Sequence, residues 1–262
     1  MSNCLVIGIL NITPDSFASN PFEEKNTDLI DDALRMVGEG AYGLDLGAVA
    51  THPRAAFVSE QEEWKRLSCV IPDLRRELPN IPLSVDTYRA SIAERVIGEW
   101  GVNVINDISG GQWDARMYDV VCAAKVAYII GHTQGSVENP TSGGTYTDFM
   151  ADLIDYFVYK IDALRQAGAS KVVIDPGFGF SKSIDQNLYL LSHLHYLQCL
   201  DAPIMVGVSR KRMIYEPLQV LPTSDEALQG SLRATEIAIK KGAAYLRVHD
   251  VKQTVDLIKT LC

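Results

Sequence analysis

Asp86, Asn106 and Asp175 each close a short apolar run: Pro82-Leu-Ser-Val85, Val102-Asn-Val-Ile105 and Lys171-Val-Val-Ile174. A carboxylate at the end of a buried strand is costly unless it is paired. Two carboxylates and an amide on one rim suit the N–H edge of a flat nitrogen heterocycle, such as an aminopyrimidine. For Asp175 alone, a salt bridge to a nearby Lys or Arg satisfies the same requirement. Gly177 and Gly179 follow at once, in Asp175-Pro-Gly-Phe-Gly-Phe-Ser-Lys182, and allow a sharp turn or a close approach to a ligand. The trio lacks the spacing of a zinc site. His193 and His195 stand two apart in an expected helix, so they are expected on different faces, as surface residues.

Cations follow later in the chain. Ser209 and Lys211 lie in Gly207-Val-Ser-Arg-Lys211, just past the apolar run that starts at Ala202. Arg247 and His249 alternate at the end of the last run and so face one side. Arg247, His249 and Ser209 are read as an anion cradle, although an ordinary barrel salt bridge also explains Arg247 alone. Lys211 also fits an aldolase-type Schiff-base nucleophile. Asn11 offers an uncharged oxygen, suited to a Mg²⁺ that takes most of its coordination from waters and a pyrophosphate. Pro14 and Asp15 favour a tight turn that would put Ser16 and Phe17 in a lid.

These residues need a scaffold that brings distant segments together. Apolar runs ending in polar groups recur along the whole chain, at Asn11, Asp45, Asp86, Asn106, His132, Asp175, Ser209 and Arg247. A parallel strand covered on both faces reads as an unbroken apolar run. Eight such strands with helices between them predict a (β/α)₈ TIM barrel whose active face lies at the carboxyl ends of the strands. Phe149, Leu153, Phe157, Ile161 and Leu164 share one helical face, and Gly168 should end that helix. Leu228, Leu232, Thr235 and Ile239 form a second stripe, with Thr223 and Glu226 spaced as a capping box. The connections from Asn11 to about Asn26 and from Ala48 to about Glu60 are long, as lids and binding loops often are.

The 262 residues fit one such domain, 1–262, without an internal linker. A formal net charge of −9 argues against nucleic acid or an anionic membrane as the main partner. The five cysteines include no C-x-x-C pair and read as thiols of a reducing compartment. The first strand should begin near residue 4, leaving no room for a signal peptide, and no apolar stretch nears the ~20 residues of a membrane span. A cytoplasmic protein is expected.

The motifs Asn11-Ile-Thr-Pro-Asp-Ser-Phe17, Ser84-Val-Asp-Thr87, Ile105-Asn-Asp-Ile108, Asp175-Pro-Gly-Phe-Gly-Phe180, Ser209-Arg-Lys211 and Arg247-Val-His-Asp-Val251 occur in this order. Together they resemble the motif set of the dihydropteroate synthases, within the pterin-binding enzymes, over essentially the full chain. The resemblance implies condensation of 6-hydroxymethyl-7,8-dihydropterin pyrophosphate with 4-aminobenzoate, giving 7,8-dihydropteroate and pyrophosphate for folate synthesis. It implies Asp86, Asn106, Asp175 and Lys211 on the pterin, and Asn11, Arg247 and His249 on pyrophosphate and Mg²⁺. It assigns Phe180, Ser209 and the tips of the long loops, Thr51 included, to aminobenzoate. Asp86, Asp175, Lys211 and Arg247 would be the catalytic set, and a homodimer through outer helices is implied. The chain departs from the family pattern at Ala48-Val-Ala-Thr-His-Pro-Arg54, where His52 replaces the usual Arg, and at Ala18-Ser-Asn-Pro21. It departs again at Gly131-His132-Thr133, where the family tends to show Met-His-Met. A folate-dependent methyltransferase relative and a non-catalytic pterin-binding paralogue are the alternatives.

Overall fold

Each apolar run forms a strand: β1 (Leu5–Asn11), β2 (Gly43–Gly47), β3 (Leu83–Asp86), β4 (Val104–Asp107), β5 (Ala127–Gly131), β6 (Val172–Asp175), β7 (Met205–Val206) and β8 (Tyr245–Val248). The structure is a computed structural model that describes residues 4–12, 22–49, 58–169 and 171–261, with the side chains of 22–26 outside that description. All strand pairs are parallel, in the order β6-β5-β4-β3-β2-β1-β8-β7. A single bridge, Ile174 to Ile204, links β6 to the segment entering β7 and completes the ring. The architecture is therefore the expected (β/α)₈ barrel, nearly closed.

Helices return the chain from the end of each strand to the start of the next. They are α1 (Phe22–Gly38), α2 (Glu60–Glu77), α3 (Ala90–Trp100), α4 (Met117–Ala124), α5 (Phe149–Gln166), α6 (Ile184–Ser192), α7 (Arg212–Leu218), α8 (Asp225–Lys240) and α9 (Val251–Leu261). In α5 four of the five residues of the predicted stripe, Leu153, Phe157, Ile161 and Leu164, are inaccessible or nearly so, while Phe149 is only partly buried and Met150 takes its place in the first turn. Asp148 caps its start by accepting the Ala151 amide at 3.1 Å, and Gly168, at φ +90°, follows its end. Ser183 and Gln186 form a reciprocal capping box on α6.

Four expectations need correction. Helix α1 begins at Phe22, four residues before the expected end of the first loop. Helix α8 is capped by Ser224, which accepts the Ala227 amide, not by Thr223. Its buried face is Ala227, Ser231, Ala234, Thr235 and Ala238, one position away from the predicted stripe. Small side chains face the barrel there, while Leu228, Leu232 and Ile239 are only partly covered. His193 and His195 do not point apart. The chain tightens into a 3₁₀ helix (Leu194–Leu200), and the two rings lie 24° from parallel with centroids 6.3 Å apart. Three residues per turn, in place of 3.6, changes which side chains share a face.

Register sets the functional groups at one height. Asn11 pairs with Gly47, Gly47 with Asp86, and Asp86 with Asn106. Asp175 pairs with Gly131, two residues above the Ile129 that faces Asn106. Since side chains alternate along a strand, those two residues return Asp175 to the same face.

Candidate active site

At the carboxyl ends of the strands the acidic and basic groups meet. Arg247, on β8, donates through Nε to Asp45 Oδ2 at 2.5 Å and through Nη2 to Asp86 Oδ2 at 3.1 Å. Asn106 donates from its amide to the same Asp45 oxygen at 3.0 Å. Asp45 is 1% exposed, and its other oxygen has no hydrogen-bond partner among the described residues. One buried carboxylate thus orients both the guanidinium and the amide, drawing β2, β4 and β8 to one point. Such a pair is weak evidence for stability as a whole, but removing one partner strands the other.

Burial pushes the Asp86 carboxyl up to about 7, against the pull of Arg247, and the neighbouring Asp45, Asp107 and Glu63 charges push the same way. Burial also raises Asp175, while the Gly177 amide, which donates to its Oδ1 at 2.8 Å, and then the charges of Lys211, Arg247 and Lys182 hold it down. Lys211 is lowered to about 8 by burial and by Arg247. Its ammonium stands 4.6 Å from the centre of the Phe180 ring, a cation–π separation. Burial, followed by Arg247, drives His249 down to about 4, so it is neutral at pH 7. Its Nδ1 lies 3.1 Å from Ser209 Oγ, and its backbone amide donates to that oxygen at 3.3 Å.

The expected groups therefore converge, with two adjustments. Arg247 is held by Asp45 and Asp86, while Ser209 and His249 bind each other beside it; His249 enters as a neutral donor or acceptor rather than a cation. Asn106 spends its amide on Asp45, leaving its carbonyl oxygen as the group for a ligand. Asn11 is exposed at the end of β1, on the same level as Asp86. Thr51, with His52 and Arg54, lies outside the described residues.

Two groups have no role in the sequence reading. Asp45 is recognised there as a strand end, as Asp86 and Asp175 are, but its hold on Arg247 and Asn106 is not. Lys182 is buried, with its ammonium on His132 Nδ1 at 3.0 Å and on the carbonyls of Gly177 and Phe180, both at 3.1 Å. Burial lowers it to about 7, and burial, followed by Lys182, lowers His132 to about 2. Gly177, at φ +73°, sits so close to the chain that a Cβ would lie 2.1 Å from His132 O. Glycine is thus required at that turn by both conformation and space.

Both ends of the second loop are tethered: Arg66 donates to Ala48 O at 2.8 Å, and Arg89 donates to Val58 O at 2.7 Å while pairing with buried Glu63. Among the described residues, no group of three His, Cys, Asp or Glu could hold a metal ion, and no helix is long and apolar enough to cross a membrane.

The sequence model of the family described as "Pterin binding enzyme" matches residues 7–249. The chain is 33% identical over 259 residues to the dihydropteroate synthase of Bacillus subtilis (strain 168), covering 98% of this chain and 87% of that one. It is 34% identical over 263 residues to the dihydropteroate synthase of Escherichia coli (strain K12), covering 100% and 92%. Among solved structures, Xanthomonas albilineans dihydropteroate synthase with 4-aminobenzoic acid superposes with a TM-score of 0.89 at 35% identity, covering 98% of this chain and 92% of that one. The same enzyme in complex with 7,8-dihydropteroate gives a TM-score of 0.85 at 34% identity, with coverage of 98% and 92%.

Proposed function

This chain belongs to the pterin-binding enzyme family, and we propose that it catalyses the dihydropteroate synthase reaction. It joins 6-hydroxymethyl-7,8-dihydropterin pyrophosphate to 4-aminobenzoate and releases pyrophosphate. The reading is carried by one observation: Asp86, Asn106, Asp175, Lys211 and Arg247, spread over 162 positions of sequence, meet at one barrel mouth, as the contacts of Arg247 and the charges felt by Asp175 require. A transferase with relatives that carry this activity over nearly the full chain length is the simplest enzyme that uses them all.

In this reading Asp86 and Asp175 accept hydrogen bonds from the pterin N–H edge, the carbonyl oxygen of Asn106 joins them, and Lys211 covers the ring beside Phe180. Loss of pyrophosphate leaves positive charge on the methylene carbon, shared with the electron-rich dihydropterin ring. Fixed carboxylates in a dry site stabilise that charge. Arg247, already oriented by Asp45, meets the departing pyrophosphate together with His249 and Ser209. The aniline nitrogen of 4-aminobenzoate needs placement more than a strong base. Phe180, Ser209 and Thr51 would supply that placement.

The residues fit Mg²⁺ in one particular way. Asn11 is a single exposed amide oxygen without a carboxylate cage among the described residues, which suits an ion held mostly by water and the substrate's pyrophosphate. When bound there, Mg²⁺ would neutralise charge on the leaving group.

Release of pyrophosphate from the pterin substrate, dependent on 4-aminobenzoate, tests the reading. Its absence with folded, Mg²⁺-supplemented protein refutes it. The raised Asp86 carboxyl adds a pH dependence. A ligand that needs the carboxylate form binds in proportion to its population, about 9% at pH 6 and about 91% at pH 8 for a group titrating near 7. Pterin affinity should therefore tighten about tenfold across that interval. Calorimetry at several pH values reads this directly, and a flat profile, or one that weakens as pH rises, removes Asp86 from the role.

A homodimer is proposed from the outer helices. α6, α7 and α8 pack on one another, and Leu188, Leu218 and Ile237 on them, with Leu221 nearby, are exposed. Light scattering on the purified protein checks it; a monomer at working concentration ends that proposal. A cytoplasmic site of action accords with Cys4, Cys122 and Cys199, which form no disulfide in the structure.

A further inference from the structure

Ser181 holds a conformation that serine rarely adopts. Its φ is +50°, in the left-handed region, and the residue is fully buried. Both its side chain and its main chain reach across to the segment that follows β5. Its Oγ accepts the Gln134 amide at 2.9 Å and lies 2.7 Å from Thr133 Oγ1. Its carbonyl accepts the Gly144 amide at 3.0 Å and the Tyr146 hydroxyl at 3.2 Å.

The two hydroxyl protons can be assigned. Thr133 Oγ1 is 2.7 Å from Pro140 O, whereas Ser181 Oγ is 3.4 Å from it. The shorter contact makes Thr133 the donor to Pro140, so Ser181 donates to Thr133. Thr133 Oγ1 also accepts the Gly135 amide at 2.9 Å. Every donor in this buried group then has an acceptor, which is the condition under which a polar network rigidifies its surroundings.

Ser181 stands between Phe180 and Lys182. Lys182 is clamped to His132 in the same post-β5 segment and donates to Phe180 O at 3.1 Å, so the backbone leaving Phe180 is restrained at two successive residues. We propose that Ser181 and Thr133 form a hydroxyl latch that joins the loops after β5 and β6 and positions the Phe180 ring for aminobenzoate. Both are positioning residues, and neither touches the reacting atoms. The proposal rests on the assignment of Phe180 to the aminobenzoate site.

Ser181→Gly is the informative variant, because glycine accepts the positive φ while the hydroxyl is lost. We expect the KM for 4-aminobenzoate to rise about five- to tenfold, the size of one lost hydrogen bond. The dissociation constant of the pterin substrate should stay within about twofold, a split that general damage to the fold would not produce. Thr133→Val should give a similar split, and the double variant should be no worse than either single one, since one latch is broken only once. An unchanged KM, or equal losses on both substrates, overturns the proposal.

Backbone hydrogen exchange keeps the latch testable apart from the activity. The Gln134 and Gly135 amides should exchange slowly in the parent protein and faster in both variants. Unaltered exchange sinks the latch even if turnover falls. A parent protein that shows slow exchange here but no aminobenzoate-dependent pyrophosphate release would refute the functional reading and leave the latch standing.

Discussion

Arg247→Ala is expected to cost about 3–5 kcal/mol of folding stability, because it strands two carboxylates that the guanidinium now holds. Asp45 suffers most: it is 1% exposed and loses its 2.5 Å ionic contact. For a chain of this length such a loss lowers the melting temperature by about 6–20 °C. The pH dependence has a definite sign. Without Arg247 the folded-state value of Asp86 rises further above that of the unfolded chain, so the native state binds protons more readily. The deficit should be largest at pH 8 and shrink as the pH falls toward the ordinary carboxylate range. Adding Asp45→Asn to the variant should recover part of the loss, since the buried charge is then gone. Thermal melts at several pH values read all three outcomes. A shift under about 2 °C, or a deficit that grows on acidification, would contradict the arrangement. In binding, the variant should lose more affinity for pterin pyrophosphate than for a bare pterin; equal losses would take the anion from Arg247.

Asp175→Asn is expected to weaken pterin binding by about 1.5–3 kcal/mol, the value of a charge-assisted hydrogen bond. That is roughly a 10- to 150-fold rise in the dissociation constant. The substitution separates charge from shape. An Asn oxygen can still accept the Gly177 amide, now 2.8 Å from Asp175 Oδ1, so the turn that carries Phe180 should survive. Stability should change little or rise, because burial already opposes the ionised form of Asp175. Calorimetric affinity at the parent level would remove Asp175 from the pterin contact. Lost affinity with a collapsed melting temperature would mean that the turn, not the ligand, had been damaged.

The barrel was legible because a doubly covered parallel strand leaves a continuous apolar run, and each run here ends at a polar residue. The α5 stripe was legible for the same reason at helical period. The α8 face was read one position off because Ala and Ser, which let the helix sit close to the barrel, carry too little hydrophobic signal to mark a buried side. The histidine pair was misjudged because nothing local announces a change from α to 3₁₀ winding.

At the site, strand-end placement and motif order were enough to propose Asp86, Asn106, Asp175, Lys211 and Arg247 as groups that share one barrel mouth, and the structure brings them together there. Only the tertiary structure decided who holds whom. Asp45 grips Arg247 across 202 positions of sequence, and Ser181 finds Thr133 across 48. Such partnerships depend on strand stagger and loop path, which are settled by packing the whole ring. Composition and periodicity describe one segment at a time, so they place a charge on a rim without saying which neighbour will neutralise it.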